Sequence, residues 1–211
     1  MKVLDLFCGF GGFSEVFRER GHDVIGVDIV PPADVLADVG NLPFRGYRPD
    51  VILGSPPCTE FTKWDLPWHD FPSPSFELVD AFLAAVDDLR PRWWVMENVR
   101  GLARYWDQRP VMRVGSRYLW GDFPLFLFNS HAQAHGKWKL GPSPDRARIR
   151  SKIPRVISQG LCLSIERAYT AAQEVLLAPI HGEDAMVERG GITDEDPITG
   201  LPARQRPDKP V

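Results

Sequence analysis

The 211-residue chain has three cysteines, Cys8, Cys58 and Cys162, and one of them stands where a nucleophile would be useful. Cys58 ends the run Gly54-Ser55-Pro56-Pro57-Cys58, directly after an apolar segment. Two prolines fix the backbone and withhold N–H donors, so the turn is rigid and presents one thiol in a set position. Attack by sulfur needs the thiolate, hence a nearby cation or backbone dipole. A buried, inert thiol is the alternative. That is the expectation for Cys8, inside a glycine loop, and for Cys162, inside an apolar helical pattern. A second reactive candidate, Glu97, follows the apolar run 93–96. A carboxylate at a buried strand end is unfavourable unless it is paired or used. It could hold a proton and donate it to a ring nitrogen, or it could cap the following turn.

Two further segments have the look of ligand contacts. In Asp5-Leu6-Phe7-Cys8-Gly9-Phe10-Gly11-Gly12 a strand pattern enters a glycine loop and then a helical pattern. Glycines let the backbone approach a ligand, and a helix start offers free N–H groups. The spacing Gly9-x-Gly11-Gly12 is not the dinucleotide GxGxxG, and the loop lacks the lysine of a phosphate-binding P-loop. Asp28 lies 23 positions beyond Asp5, at the end of a second strand pattern. An acid there commonly holds ribose hydroxyls, although Pro31-Pro32 follow and a turn role is open. Asp38 is a similar candidate for an adenine edge.

These residues need elements to hold them. Strand patterns cover 2–7, 23–28, 50–54 and 93–96, with broken strand segments over 117–128. Helical spacing covers 13–20, 76–89 and 155–177. Strand alternating with helix predicts an α/β fold with a mostly parallel sheet flanked by helices. In such sheets ligands sit beyond the carboxyl ends of the strands. The glycine loop, Asp28, the Pro-Pro-Cys turn and Glu97-Asn98 all fall at those ends.

Length and composition suit one catalytic domain, expected over 1–178, with a Pro-, Gly- and charge-rich tail over 179–211. Net charge is −3, which excludes an indiscriminate basic coat for nucleic acid but leaves room for a local basic face. Three widely spaced cysteines fit neither a disulfide framework nor a zinc pattern, and His69 has no partner at ligand spacing, so no metal is expected. No run approaches the ~20 apolar residues that span a bilayer, and the expectation is a cytoplasmic protein.

Asp-Leu-Phe-Cys-Gly-Phe-Gly-Gly, a strand ending in Asp28, Pro-Pro-Cys and Glu-Asn-Val, in that order, closely resemble the cytosine-C5 DNA methyltransferase family. The resemblance covers residues 2–100 firmly and continues loosely to about 175. It implies a Rossmann-like S-adenosylmethionine-dependent methyltransferase fold. It implies a cofactor pocket of Asp5, Phe7, Gly9, Gly11, Gly12, Asp28, Ile29, Asp38, Val39, Leu42 and Pro56. It also implies that Cys58 attacks C6 of a cytosine flipped out of DNA, that Glu97 contacts N3 and the exocyclic amine, and that C5 takes the methyl group. The family's arginine pair has two candidate stretches. Arg113 and Arg117 precede an apolar strand, as in the family, and are preferred over Arg146, Arg148 and Arg150. The segment 158–168 resembles the closing helix that returns to the cofactor pocket.

The chain also departs from the family. Only 28 residues, Tyr118 to Asp145, follow Arg117 before the basic segment, too few for a large target-recognition region. Glu60 adds a negative charge near Cys58. The aromatics Phe61, Trp64, Trp68, Phe71 and Phe76 follow the Pro-Pro-Cys turn and either stack on bases or pack on their own domain. Specificity supplied by a partner, an RNA substrate such as tRNA, and an idle nucleic-acid-binding relative are the alternatives that this leaves. A modification enzyme of a restriction system is the leading expectation.

Overall fold

The structure, a computed structural model, describes residues 1–63, 74–127, 149 and 152–177. Its centre is a seven-stranded sheet. The strands are β1 (Lys2–Leu6), β2 (Asp23–Asp28), β3 (Val35–Leu36), β4 (Val51–Gly54), β5 (Trp93–Asn98), β6 (Met112–Val114) and β7 (Arg117–Asp122). Their spatial order is β3-β2-β1-β4-β5-β7-β6. The pairs β1–β2, β2–β3, β1–β4 and β4–β5 are parallel. β7 runs antiparallel to both β5 and β6. The expected α/β fold with a mostly parallel sheet is therefore observed, with one strand reversed.

The helices are α1 (Glu15–Glu19), α2 (Thr59–Lys63), α3 (Glu77–Leu89), α4 (Arg100–Tyr105) and α5 (Arg155–Leu177). They cover both faces. Because side chains alternate across a strand, each central strand feeds two cores. Val3, Val51, Leu53 and Val95 join Phe13, Phe17, Leu161 and Ile165 on the face of α1 and α5. Leu4, Leu6, Ile52 and Met96 join Phe61, Phe82, Leu102 and Trp120 on the face of α2, α3 and α4. This double burial explains why β1 and β4 read as near-continuous apolar runs. In α3, Val79, Phe82, Ala85 and Leu89 form the buried stripe, at helical spacing.

Strand order places the site. The chain steps outward from β1 to β2 and β3, then crosses back to β4 and β5 on the other side of β1. The reversal falls between β1 and β4. Doubly wound sheets take their ligands at such a switch point, beyond the carboxyl ends of the strands. Among the described residues no helix is long and apolar enough to cross a membrane.

Candidate active site at the carboxyl edge of the sheet

β1 delivers the chain into the glycine loop at the switch point. Phe7, Gly9 and Gly11 take left-handed backbone angles, with φ of 55°, 53° and 68°. A side chain at Gly9 or Gly11 would meet nothing within 4 Å, so it is the backbone conformation there that favours glycine. Gly12 is glycine for a different reason. A Cβ there would lie 2.5 Å from Lys152 Cγ and 2.9 Å from the backbone nitrogen of Ile153. The loop thus carries the segment that enters α5.

Asp28, at the end of β2, braces the loop. Its Oδ2 accepts from the Gly9 amide at 2.9 Å and its Oδ1 from the Val30 amide at 3.1 Å. Beside it in sequence, Ile29 is a large apolar side chain left 72% exposed. Asp38 caps a short 3-10 turn over 39–41, accepting from the Gly40 amide at 2.8 Å. Val39 is buried and Leu42 is half-buried, both within the α3-side core. Asp5 lies beneath the loop at 1% exposure and accepts from the Ser14 hydroxyl at 2.6 Å. Burial pushes its carboxyl up to about 7, against the pull of the Ser14 hydrogen bond and the Arg18 charge.

β4 and β5 are neighbours, and their carboxyl ends carry the two reactive candidates. Cys58 is half-buried and immediately precedes α2, whose Thr62 gives both its amide and its hydroxyl to the Cys58 carbonyl at 2.9 Å. Two side-chain bonds tie this turn to the end of β5. The Ser55 hydroxyl donates to Glu97 Oε2, and Asn98 Nδ2 donates to the Pro56 carbonyl at 3.1 Å. Asn98 is fully buried, and its Oδ1 takes the Val99 amide at 2.9 Å. Glu97 is 4% exposed, and Arg117 donates to its Oε1 at 2.9 Å.

The two preferred arginines separate here. Arg117 opens β7, and because β7 is antiparallel to β5 its first residue lies at the carboxyl edge, beside Glu97. Arg113 pairs across the β6–β7 hairpin with Tyr118, sits 5.4 Å from that ring and donates to the Gly115 carbonyl at 2.8 Å. It is exposed and is not brought to Glu97. Arg146, Arg148 and Arg150 lie outside the described residues, as do Trp64, Trp68, His69 and Phe71. Phe61 and Phe76 pack edge to face at 5.3 Å, with Phe61 2% exposed, so both serve the core.

The remaining cysteines are quiet. Burial, with Asp5, Asp28 and Asp34 nearby, pushes the Cys8 thiol up to about 12. Burial also pushes Cys162, which is 0% exposed, up to about 12. Cys162, His22 and Glu166 have ligand-type atoms within 4.8 Å of one another, a grouping no sequence spacing suggested. Glu166 Oε1 is already shared there by Arg20 Nε at 2.7 Å and His22 Nε2 at 2.9 Å. The Arg20 bond, against some desolvation, holds the Glu166 carboxyl below its ordinary range.

Sequence reasoning missed the supporting polar groups Ser55, Asn98 and Ser158. Ser158, buried on α5, donates to the Phe13 carbonyl at 2.7 Å and accepts the Val16 amide at 3.2 Å. It locks α5 onto the start of α1. Only Asn98 carried a signal, through its place beside Glu97.

Residues 1–112 match the C-5 cytosine-specific DNA methylase family. That span holds the glycine loop, Asp28, Cys58 and Glu97, and stops before Arg117. The type II methyltransferase M.AplI of Arthrospira platensis is 35% identical over 115 residues, covering 48% of this chain and 32% of that protein. M.HindV of Haemophilus influenzae is 27% identical over 126 residues, covering 49% and 39%. M.HgiGI of Herpetosiphon aurantiacus is 31% identical over 116 residues, covering 47% of this chain and 90% of that protein. The chain spans about a third of the length of the first two.

Proposed function

Because the chain belongs to the C-5 cytosine-specific DNA methylase family, we propose that it transfers a methyl group from S-adenosylmethionine to C5 of cytosine in DNA, with Cys58 as covalent nucleophile. The observation that carries this reading is the joining of two adjacent strand ends. The thiol-bearing turn after β4 and the carboxyl-bearing end of β5 are held together by Ser55 on Glu97 and Asn98 on Pro56.

The residues present fit the cofactor. A loop with left-handed glycines at the switch point leaves backbone open to a ligand, and each Asp28 oxygen keeps a lone pair beyond its one amide bond. Phe7, Gly9 and Gly11 would line the site, Asp28 would take the ribose, and Ile29, Asp38, Val39 and Leu42 would flank the adenine. Pro56 would close the near wall. Gly12 and Asp5 would support the loop from below, since one is covered by residues 152–153 and the other is buried on Ser14. When bound, S-adenosylmethionine supplies an electrophilic methyl group on a sulfonium.

Cytosine C5 is a poor nucleophile in the aromatic ring. Addition of the Cys58 thiolate to C6 forms an S–C6 bond and moves the ring electrons toward C5 and N3. Glu97 would meet N3 and the exocyclic amine as that electron density arrives, held by Arg117 and Ser55 so that its carboxyl faces the base. C5 then carries the new methyl group, loses its proton to a base, and the S–C6 bond breaks to return the thiolate and the double bond. The thiol reaches C6 only if the base leaves the duplex stack. The short stretch between Arg117 and the basic segment supports either loose sequence preference or specificity supplied by a partner. A modification enzyme acting on cytoplasmic DNA fits this reading.

The test is methyl transfer from labelled S-adenosylmethionine to duplex DNA, single-stranded DNA and tRNA in parallel. Label at C5 of cytosine in duplex DNA, abolished by Cys58→Ser, is expected. Transfer that survives Cys58→Ser would remove the nucleophile, and preferential labelling of tRNA would replace the substrate.

A further inference from the structure

Glu97 is almost sealed from solvent, so its partners decide where its carboxyl points. Those partners come from opposite sides. In the sheet, β5 lies between β4 and β7. Ser55, just past β4, bonds Oε2, and Arg117, at the start of β7, bonds Oε1. One donor from each flanking strand pins the carboxylate in its plane.

The two donors are not equivalent. A guanidinium only donates, whereas a hydroxyl both donates and accepts. When Glu97 is ionised, Ser55 gives its proton to Oε2. When the other lone pair of Oε2 carries the proton shared with a ring nitrogen, the hydroxyl goes on donating to the first. Ser55 can therefore stay bonded through both states of a carboxyl that exchanges a proton with a ring nitrogen, while Arg117 keeps Oε1 in place. Pro56 and Pro57, which follow it, have no N–H to take its place. The Ser55 backbone is itself anchored, its amide donating to the Leu6 carbonyl at 3.3 Å.

We propose that Ser55 is a positioning residue for Glu97. It holds the carboxyl toward the flipped cytosine in both protonation states and thereby sets the rate of base activation. This rests on the reading of Cys58 and Glu97 given above.

The experiment uses the full chain and duplex DNA containing 5-fluorocytosine, in which fluorine replaces the C5 proton that must leave, so the Cys58 adduct accumulates. Wild type, Ser55→Ala, Ser55→Thr, Glu97→Gln and the Ser55→Ala/Glu97→Gln double variant are compared for adduct formation on that DNA and for kcat on unmodified duplex DNA. KM for S-adenosylmethionine and Tm are measured alongside. For Ser55→Ala, kcat and adduct rate should fall about 10- to 100-fold, as a slightly misplaced catalytic group would give. KM for S-adenosylmethionine and Tm should hold. Ser55→Thr should restore most of the rate. In the Glu97→Gln background, Ser55→Ala should add nothing, because its effect passes through that carboxyl. An unchanged rate in Ser55→Ala overturns the proposal. So does a loss that comes with a lower Tm, that threonine fails to restore, or that persists in full beside Glu97→Gln. Failure of wild type itself to form an adduct would instead strike the nucleophile reading.

Discussion

Asp5→Asn should change how stability depends on pH. Asp5 is 1% exposed beneath the glycine loop, and burial carries its carboxyl from 3.8 to about 7. Between those values the unfolded chain has released a proton that the folded protein keeps. The contribution of Asp5 to stability is therefore whole below about pH 4, falls as pH rises, and levels off above about pH 7. The slope reaches about 1.4 kcal/mol per pH unit and halves at the folded-state value, so the interval from pH 5 to 7 carries ~2 kcal/mol. Asparagine keeps the shape and an oxygen for the Ser14 hydroxyl but does not titrate. All other titrating groups are common to both proteins and cancel in the difference. Urea unfolding of both proteins at pH 5, 6, 7 and 8 should show the variant gaining ~2 kcal/mol on wild type up to pH 7, then changing little. Parallel stability curves across that range would refute a desolvated Asp5, whatever the constant offset between the two proteins.

Gly12→Ala should destabilise the fold by about 1–3 kcal/mol, because the added carbon meets the Ile153 backbone, which cannot swing aside. Thermal unfolding reads this, and an unchanged Tm would mean that residues 152–153 do not rest on the loop. Arg117→Gln should lower methyl transfer about 10- to 100-fold, since Glu97 loses one of its two pinning donors. Arg113→Gln should cost less, because that guanidinium lies on Tyr118 and the Gly115 carbonyl. Equal losses from the two would contradict the separation of these arginines.

The chemistry-bearing residues were legible because their signals are local. A glycine loop after a strand, an acid ending the next strand, a thiol behind two prolines and Glu-Asn after an apolar run each occupy a few consecutive positions. Apolar period alone placed the four strands that bear them, together with α3 and α5. Segments too short for a period escaped: β3, β6, α2 and α4 have two to six residues each.

What the one-dimensional pattern could not hold is who stands beside whom. Arg113 and Arg117 look alike in sequence, and only the antiparallel seating of β7 against β5 brings the second to Glu97 and leaves the first on the hairpin. Ser55 and Glu97 are 42 residues apart, and Ser158 and Phe13 are 145 apart. Each pair meets because strand order and helix packing bring it together. The glycine at position 12 is legible as part of a loop, but its reason, a chain segment 140 residues later lying against it, exists only in the fold. Local chemistry is written in residue type and spacing. Partnership across a sheet depends on strand order and direction, which are properties of the whole packed chain.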